Sequence, residues 1–161
     1  MVKNVIMIIL SSGIIFGQSQ ILTVGKLVEI LQLEPHPTAN FFYKSTYKSD
    51  GIIPKTALPE KYSGDRSYFT VIYSLLPKDT KLGFRKLLSD EVLHFYMGGP
   101  LTIVQITPDG KVEEIELGED ISNGQQFQHI IPAGYWFGIY NSKGSEYTLY
   151  GANVIPGFEY E

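Results

Sequence analysis

The feature that most constrains the fold is a series of short strand-like runs, separated by turn-forming residues, that continues from Arg66 to Val154. Each run is rich in Val, Ile, Tyr and Phe, whose side chains pack well on a pleated sheet. Pro108-Asp109-Gly110 is the clearest turn, because Pro presets one backbone dihedral and Gly tolerates positive φ. Roughly eight to ten strands at this spacing, with no helices alternating between them, predict a barrel or jelly roll.

One amphipathic helix is predicted before the strands, over Thr23–Leu33. Four apolar residues recur there at helical spacing: Val24, Leu27, Val28 and Leu31. Thr23 is a suitable N-cap, and Pro35 and Pro37 end the helix, after which Phe41–Tyr47 is predicted to form the first strand. The sequence therefore predicts an all-β chain with one short N-terminal helix. A length of 161 residues suits one domain, which we expect to span residues 22–161.

The N-terminus has the order of a secretory signal peptide. Lys3 supplies a positive charge, Val5–Phe16 is mostly apolar, and Gly17 with Gln18-Ser19-Gln20 forms a small and polar exit. The run is too short to span a bilayer comfortably, although it is also compatible with an N-terminal strand or a buried helix. We expect residues 1–17 to be a signal peptide and the mature protein to be secreted, or periplasmic in a bacterium, without a membrane segment.

Composition excludes several classes of function. The chain has no cysteine, which removes disulfides, thiolate metal sites and a cysteine nucleophile. Its net charge of −4 is spread along the chain, and no basic run is present to follow a phosphate backbone. Nucleic-acid binding is therefore not expected.

Two segments, Phe84–Gly98 and Ile131–Asn141, resemble the two sequence motifs of the cupin superfamily. Glu91 and Gly98 fit the first motif, and the second is matched by Pro132, Gly134 and Asn141. The histidines of these motifs, which hold a metal in many cupins, correspond here to Arg85, Leu87 and Phe137. A divalent metal needs three or four convergent lone-pair donors, so we expect no metal and no other cofactor.

A closer resemblance, which covers residues 22–161, is to the cupin-5 group of RmlC-like cupins, a domain of unknown function. The matching segments include Leu33-Glu34-Pro35-His36-Pro37, Ser89-Asp90-Glu91, His94-Phe95-Tyr96, Pro132-Ala133-Gly134 and Pro156-Gly157-Phe158. The resemblance implies a double-stranded β-helix, the cupin jelly-roll barrel, paired as a homodimer. The chain is a divergent member, because the family's Pro-His-Pro-Glu-Gly-Gly ends here in Thr38-Ala39-Asn40 and its Phe-His-Arg reads Phe84-Arg85-Lys86.

The candidate site residues come from these motifs and from the polar and aromatic residues of the predicted strands. The candidates for proton transfer are Glu91, His94 and Tyr96. The candidates for ligand binding are Lys44, Tyr47, Arg66, Arg85, Gln128 and Trp136. An alternative for Glu91 is a buried ion pair with Arg85 or Lys86. An alternative for His94 is a structural role, because residues three apart on a regular strand face opposite sides. Of the neighbours Gln128 and His129, the resemblance favours Gln128 as the inward-facing residue.

The sequence is compatible with four functions. The first is a secreted cupin that binds a small polar or carbohydrate-like ligand in its barrel without a metal. The second is a metal-independent sugar isomerase or epimerase, with Lys44, Arg66 and Arg85 holding an anion, although the predicted export argues against nucleotide-sugar substrates. The third is a non-catalytic structural or interaction protein whose barrel is filled by Leu87, Leu93 and Phe137. A metal-dependent dioxygenase is the least favoured.

Overall fold

A computed structural model describes residues 22–141 and 144–160. Within them lie one α-helix, α1 (Val24–Leu31), two short 3₁₀ turns (Lys55–Ala57 and Ile121–Asn123) and twelve strands. The strands are β1 (Glu34–Pro35), β2 (Phe42–Lys48), β3 (Ile52–Ile53), β4 (Arg66–Ser67), β5 (Thr70–Pro77), β6 (Lys81–Lys86), β7 (Asp90–Gly98), β8 (Leu101–Ile106), β9 (Val112–Leu117), β10 (Gln128–Ile131), β11 (Trp136–Asn141) and β12 (Tyr147–Ile155).

Ten of these strands form two antiparallel sheets. The large sheet has the order β1-β2-β5-β12-β7-β10, and the small sheet has the order β6-β11-β8-β9. β3 and β4 pair separately as a two-stranded ladder. Except for β1–β2 and β8–β9, neighbouring strands in both sheets are not consecutive in sequence, as in a jelly roll, so the predicted all-β architecture with one short helix is confirmed.

The main core lies between the two sheets, as strand alternation requires. Side chains from both inner faces pack together there, and the most deeply buried are Leu76, Leu93, Leu101, Ile103, Leu117, Phe137 and Ile139. Each belongs to the inward-facing set of its strand, because successive residues of a strand point to opposite faces. This alternation decides which candidate residues face the barrel interior.

Helix α1 covers one end of the outer face of the large sheet. Thr23 Oγ1 accepts a hydrogen bond from the Lys26 backbone N–H at 3.3 Å, as the predicted N-cap. Leu27 packs against Leu75 and Leu149, which point outward from β5 and β12. The central strands of the large sheet are therefore buried on both faces at this end.

The predicted hairpin turn at Pro108-Asp109-Gly110 joins β8 to β9. Gly110 has φ +87°, and its N–H donates to the Thr107 carbonyl at 2.9 Å. Residues 1–17, the predicted signal peptide, lie outside the described residues. No helix of the described part of the chain is long and apolar enough to cross a membrane.

Candidate functional site

Arg85 and Glu91 face each other inside the barrel. Glu91 lies on β7 opposite Val154 and is buried, while Arg85 lies on the edge strand β6 opposite Phe137. The Arg85 Nη2 and Glu91 Oε2 atoms are 3.9 Å apart, which is an ion pair but too long for a hydrogen bond. Lys86, the other proposed partner of Glu91, lies on the opposite face of β6, over the ring of Trp136.

The Arg85 guanidinium is held flat against an aromatic ring and keeps its hydrogen-bonding capacity. Its Cζ lies 4.2 Å from the centroid of the Phe137 ring, a cation–π contact. The side chain is 34% exposed, and within the described residues it donates no hydrogen bond to a protein acceptor. Five N–H donors are therefore available at the edge of the interior.

Tyr150 and Ser74 complete the polar group. They are cross-strand neighbours on β12 and β5, and both face the interior. Burial raises the pKa of Tyr150 to about 12, while nearby Arg85 opposes that effect, so the phenol stays protonated. The Ser74 hydroxyl is buried and forms no hydrogen bond of standard geometry, and the same is true of Glu91 Oε2. Buried polar atoms normally find a partner, so these two mark an incomplete site.

Burial and the charge of Arg85 shift the titration of two neighbouring side chains. Burial raises the pKa of Glu91, and the positive charge of Arg85 only partly offsets that effect. Burial and the same Arg85 lower the pKa of His36. Both shifts act against the charged forms of these two side chains.

Aromatic side chains line the edge of the interior beside Arg85. The His36 ring stacks on Phe41 at a centroid distance of 4.5 Å and meets Tyr43 edge-on at 5.4 Å. The charge of Arg85 acts on the pKa of His36, which puts this ring near the polar group. The aromatic rings therefore offer a flat apolar surface next to the guanidinium.

The interior is packed at its centre and open at its margin. Leu93 and Phe137 are fully buried, and Leu87 is half-buried against them. However, Ile72 and Phe95 are partly exposed although they face inward from internal strands of the large sheet. Solvent therefore reaches part of the inner face of the large sheet.

The side chains at the cupin metal positions do not fit a metal. Glu91 is the one carboxylate among them, and it meets the Arg85 guanidinium and the Phe137 ring instead of histidines. In the described part of the chain, no three His, Cys, Asp or Glu side chains converge as a metal site would require.

His94 and Tyr96 lie on the outer face of the large sheet, so the structure does not bring them together with Glu91 as the predicted proton-transfer group would require. His94 pairs with Gly151 and stays in the outward-facing set of β7. A register shift does occur in β7, but it lies between Phe95 and Met97, beyond His94. It therefore does not turn the imidazole inward. The Tyr96 ring packs over Gly151 on the outer face of the sheet. It contacts the Tyr73 ring edge-on, with the ring centroids 5.8 Å apart.

Three predicted ligand-binding residues share that outer face and lie away from the Arg85–Glu91 pair. Lys44 pairs with Tyr73 and donates to the Gln32 side chain at 2.8 Å, and the exposed Tyr47 packs against Phe69. Gln128 pairs with His94 and is exposed. Its neighbour His129 faces inward instead, where its Nε2 lies 3.0 Å from Gln105 Oε1. The choice between these two neighbours was therefore incorrect.

The last two predicted ligand-binding residues are also away from the Arg85–Glu91 pair. Trp136 points outward from the small sheet, since its neighbour Phe137 is the inward-facing residue. Arg66 is buried in the β3–β4 ladder and lines a separate cavity of about 190 Å³ next to Tyr62. Of the nine residues selected from the sequence, Arg85 and Glu91 alone converge in the interior.

Sequence reasoning missed Tyr150 and Ser74. Both lie on internal strands that are buried on the two faces, so a polar side chain there carries no signal of which face it occupies. The register between β5 and β12 would have identified them as one inward-facing pair, but register between strands distant in sequence is not written in local patterns.

Comparison with known proteins agrees with this fold. Residues 25–161 match the model of a family described as Cupin superfamily (DUF985). The chain is 32% identical over 100 residues to the uncharacterized protein YML079W of Saccharomyces cerevisiae. That match covers 60% of this chain and 49% of the yeast protein, so this chain spans about half of that relative's length.

Two solved structures are similar over most of their length. A hypothetical protein from Leishmania major has a TM-score of 0.76 and 25% identity, with 86% of this chain and 84% of that chain covered. Protein SO0799 from Shewanella oneidensis has a TM-score of 0.71 and 30% identity, with 86% and 80% covered. Since the family model spans nearly the whole described chain, the protein belongs to the cupin superfamily, in the family DUF985.

Proposed function

We propose that this protein is a cupin that binds a small polar or carbohydrate-like ligand in its barrel interior without a metal. The observation that carries the proposal is the incomplete polar group beside Tyr150. The Arg85 guanidinium and the buried Glu91 Oε2 lack hydrogen-bond partners, and the buried Ser74 hydroxyl makes no hydrogen bond of standard geometry. A ligand that supplies those hydrogen bonds would remove the cost of leaving buried polar atoms unpaired.

Calorimetry and thermal-shift screening with neutral sugars, nucleotide-sugars and organic acids test this proposal. We expect saturable binding by at least one class, weakened by Tyr150→Phe. Loss of one hydrogen bond, worth about 0.5–1.5 kcal/mol, corresponds to a roughly two- to tenfold rise in Kd. Tyr96→Phe is the matched control, since it removes the same hydroxyl group from a tyrosine on the outer face of the large sheet. A silent screen, or weakening by Tyr96→Phe instead, would contradict the proposal.

A second candidate is a metal-independent isomerase or epimerase. The protonated Tyr150 beside Glu91 favours it, because an acid and a base are needed to move a proton between two faces of a substrate carbon. His94 and Tyr96 would have no part in it. Deuterium incorporation from heavy water into a recovered sugar supports this candidate, and its absence for every ligand that binds would exclude it.

We also propose that the protein is exported. The order of charge, apolar run and small residues over residues 1–17 supports this proposal. When the full chain is expressed in a host with a secretory pathway, mass spectrometry of the exported fraction should find a form that begins after Gly17 or Ser19. Ile9→Asp breaks the apolar run and should retain the protein in the cell. Export of an uncleaved chain would refute the assignment.

Finally, we propose that the protein forms a homodimer through the outer face of the small sheet. This face would act as an interaction surface without a catalytic role. Three large apolar side chains are exposed there: Phe84, Val112 and Trp136. Lys81 and Lys86 follow one edge of this face, and Glu114 and Glu116 lie on the strand at the other edge. A two-fold axis parallel to the strands would bring the basic edge of one copy over the acidic edge of the second.

A further inference from the structure

The Arg85 guanidinium has the geometry of a binding group for a planar anion. Its Cζ lies 4.2 Å from the centroid of the Phe137 ring, and its separation of 3.9 Å from Glu91 leaves its N–H groups free of a bidentate partner. A guanidinium presents two parallel N–H donors that match the two oxygens of a carboxylate. Glu91 does not take up that pair of donors, so they are available to an external carboxylate.

The surrounding groups would act as donors to such an anion. Tyr150 carries a phenolic proton, and the Ser74 hydroxyl, which makes no hydrogen bond of standard geometry, can donate as well. Glu91 becomes a third donor when it is protonated, because a neutral carboxyl has one O–H. The titratable groups that act on Glu91 are Arg85 on β6 and Tyr150 on β12, and His36, before β2, is affected by the charge of Arg85.

We propose that the interior ligand is a small organic carboxylate, such as a sugar acid, bound by Arg85 and hydrogen-bonded by Tyr150, Ser74 and the carboxyl group of Glu91. This inference rests on the proposed interior binding site. The rings of His36, Phe41 and Tyr43 would contact the remainder of the ligand. Binding of the anion is coupled to protonation of Glu91, since two carboxylates beside one guanidinium would repel each other.

The test compares carboxylates with their neutral amides by calorimetry on the whole protein at pH 6. Glucuronate and lactate should bind, and glucuronamide and lactamide should bind at least tenfold more weakly. Arg85→Gln should raise the Kd for the carboxylates at least tenfold, and Arg85→Lys should raise it less, because one charge remains without the paired N–H donors. Lys78→Gln is the charge-matched control and should leave the Kd unchanged, because Lys78 is exposed and pairs with Glu146.

The pH dependence tests the role of Glu91. The Kd for carboxylates should rise as the pH increases through the pKa of Glu91, by up to tenfold per pH unit, and Glu91→Gln should flatten that profile. Equal binding of amides and carboxylates, or carboxylate binding unaffected by Arg85→Gln, would overturn the inference. If neutral sugars bind and are lost in Tyr150→Phe while carboxylates do not bind, this inference fails and the proposed function stands. If no ligand binds, both fail.

Discussion

Glu91 carries its carboxyl in the barrel interior, where burial raises its pKa above the value in the unfolded chain. The folded protein therefore holds the proton more tightly, so the associated stability is complete below the unfolded pKa and is lost as the pH rises through the folded pKa. We predict that, as the pH rises from the unfolded pKa of the carboxyl through its higher folded pKa, the free energy of unfolding, measured with urea, falls in the wild type relative to Glu91→Gln. A tenfold difference in proton affinity between the folded and unfolded chain corresponds to a fall of about 1.4 kcal/mol.

Glu113→Gln is the control for this experiment and should have the opposite effect. Hydrogen bonds from Lys111 and Gln105 lower the pKa of Glu113, so its contribution is present above the unfolded pKa and is lost as the pH falls. The stability of the wild type relative to Glu113→Gln should therefore increase with pH. The same slope in both variants would show that the burial of Glu91 does not control the effect.

Gly151 makes room for Tyr96 on the outer face of the large sheet. A Cβ atom added at residue 151 would lie 2.7 Å from Tyr96 Cζ and closer still to the hydroxyl oxygen, which is too close for a non-bonded contact. We predict that Gly151→Ala displaces the Tyr96 ring from Tyr73 and destabilises the protein by about 0.5–1.5 kcal/mol, the value of one aromatic pair.

A double-mutant cycle measures this displacement. In a Tyr96→Ala background the cost of Gly151→Ala should nearly vanish, because nothing remains to be displaced. Gly83→Ala, in a strand where an added Cβ meets no atom within 4 Å, should have little effect. An unchanged cost in the Tyr96→Ala background would mean that the strain arises from the backbone.

At the level of elements, helix α1 packs on the large sheet through the buried side chain of Leu27. Leu27 is almost fully buried against Leu75 and Leu149, whereas Ile30 on the same helix is 55% exposed. We predict that Leu27→Ala lowers the free energy of unfolding by about 2–4 kcal/mol, as expected for a truncated core leucine. Ile30→Ala should change it by less than about 0.5 kcal/mol. Equal effects in urea unfolding would indicate that α1 is not docked on the sheet.

The elements themselves were predictable because their signals are local. The Thr23 cap, the spacing of Leu27 and Leu31 and the turn at Gly110 all act within a few residues, and each is confirmed. Strands β3 and β4 were less evident, since they span two residues each and pair with each other across a long loop.

The site was less predictable because it depends on which face each residue occupies. Arg85 and Glu91 were found through their motif positions, and strand alternation correctly indicated that His94 would oppose Glu91. A bulge near Glu91 would have reversed that outcome, and only the three-dimensional register shows that the bulge lies after Phe95. The sequence pattern did not identify Tyr150 as inward-facing, because its neighbour Leu149 is also buried, on the opposite face beneath α1.

At the scale of the whole molecule, the three sheet faces have different chemistry. The interior combines Arg85 with buried hydroxyls, α1 covers one end of the large sheet's outer face, and the outer face of the small sheet exposes Trp136. Exposed apolar patches on soluble proteins commonly mark interaction sites. A ligand site in the interior and a dimer contact on the small sheet would therefore not compete for the same surface.

The last prediction concerns that small-sheet surface. Trp136 is 47% exposed and heads a cross-strand row with Ile106 and Val112, so it would lie in the apolar centre of a face-to-face dimer. Trp136→Arg would bury an unpaired charge there, and sedimentation velocity should show a monomer where the wild type is a dimer. The Ile30→Arg variant, which places the same charge at an exposed position on α1, should remain dimeric.

Charge reversal tests the arrangement of the two copies. Replacing Lys81 and Lys86 by Glu should dissociate the dimer, because both facing edges would then be acidic. Replacing Glu114 and Glu116 by Lys in the same chain should restore it, since the complementary edges are then exchanged. A wild type that sediments as a monomer at about 100 μM, far above a μM Kd, would exclude this interface. If the Lys-to-Glu variant dissociates and the added Glu-to-Lys replacements do not restore the dimer, the two-fold axis is not parallel to the strands. The two copies would then contact each other through Trp136 in a different orientation.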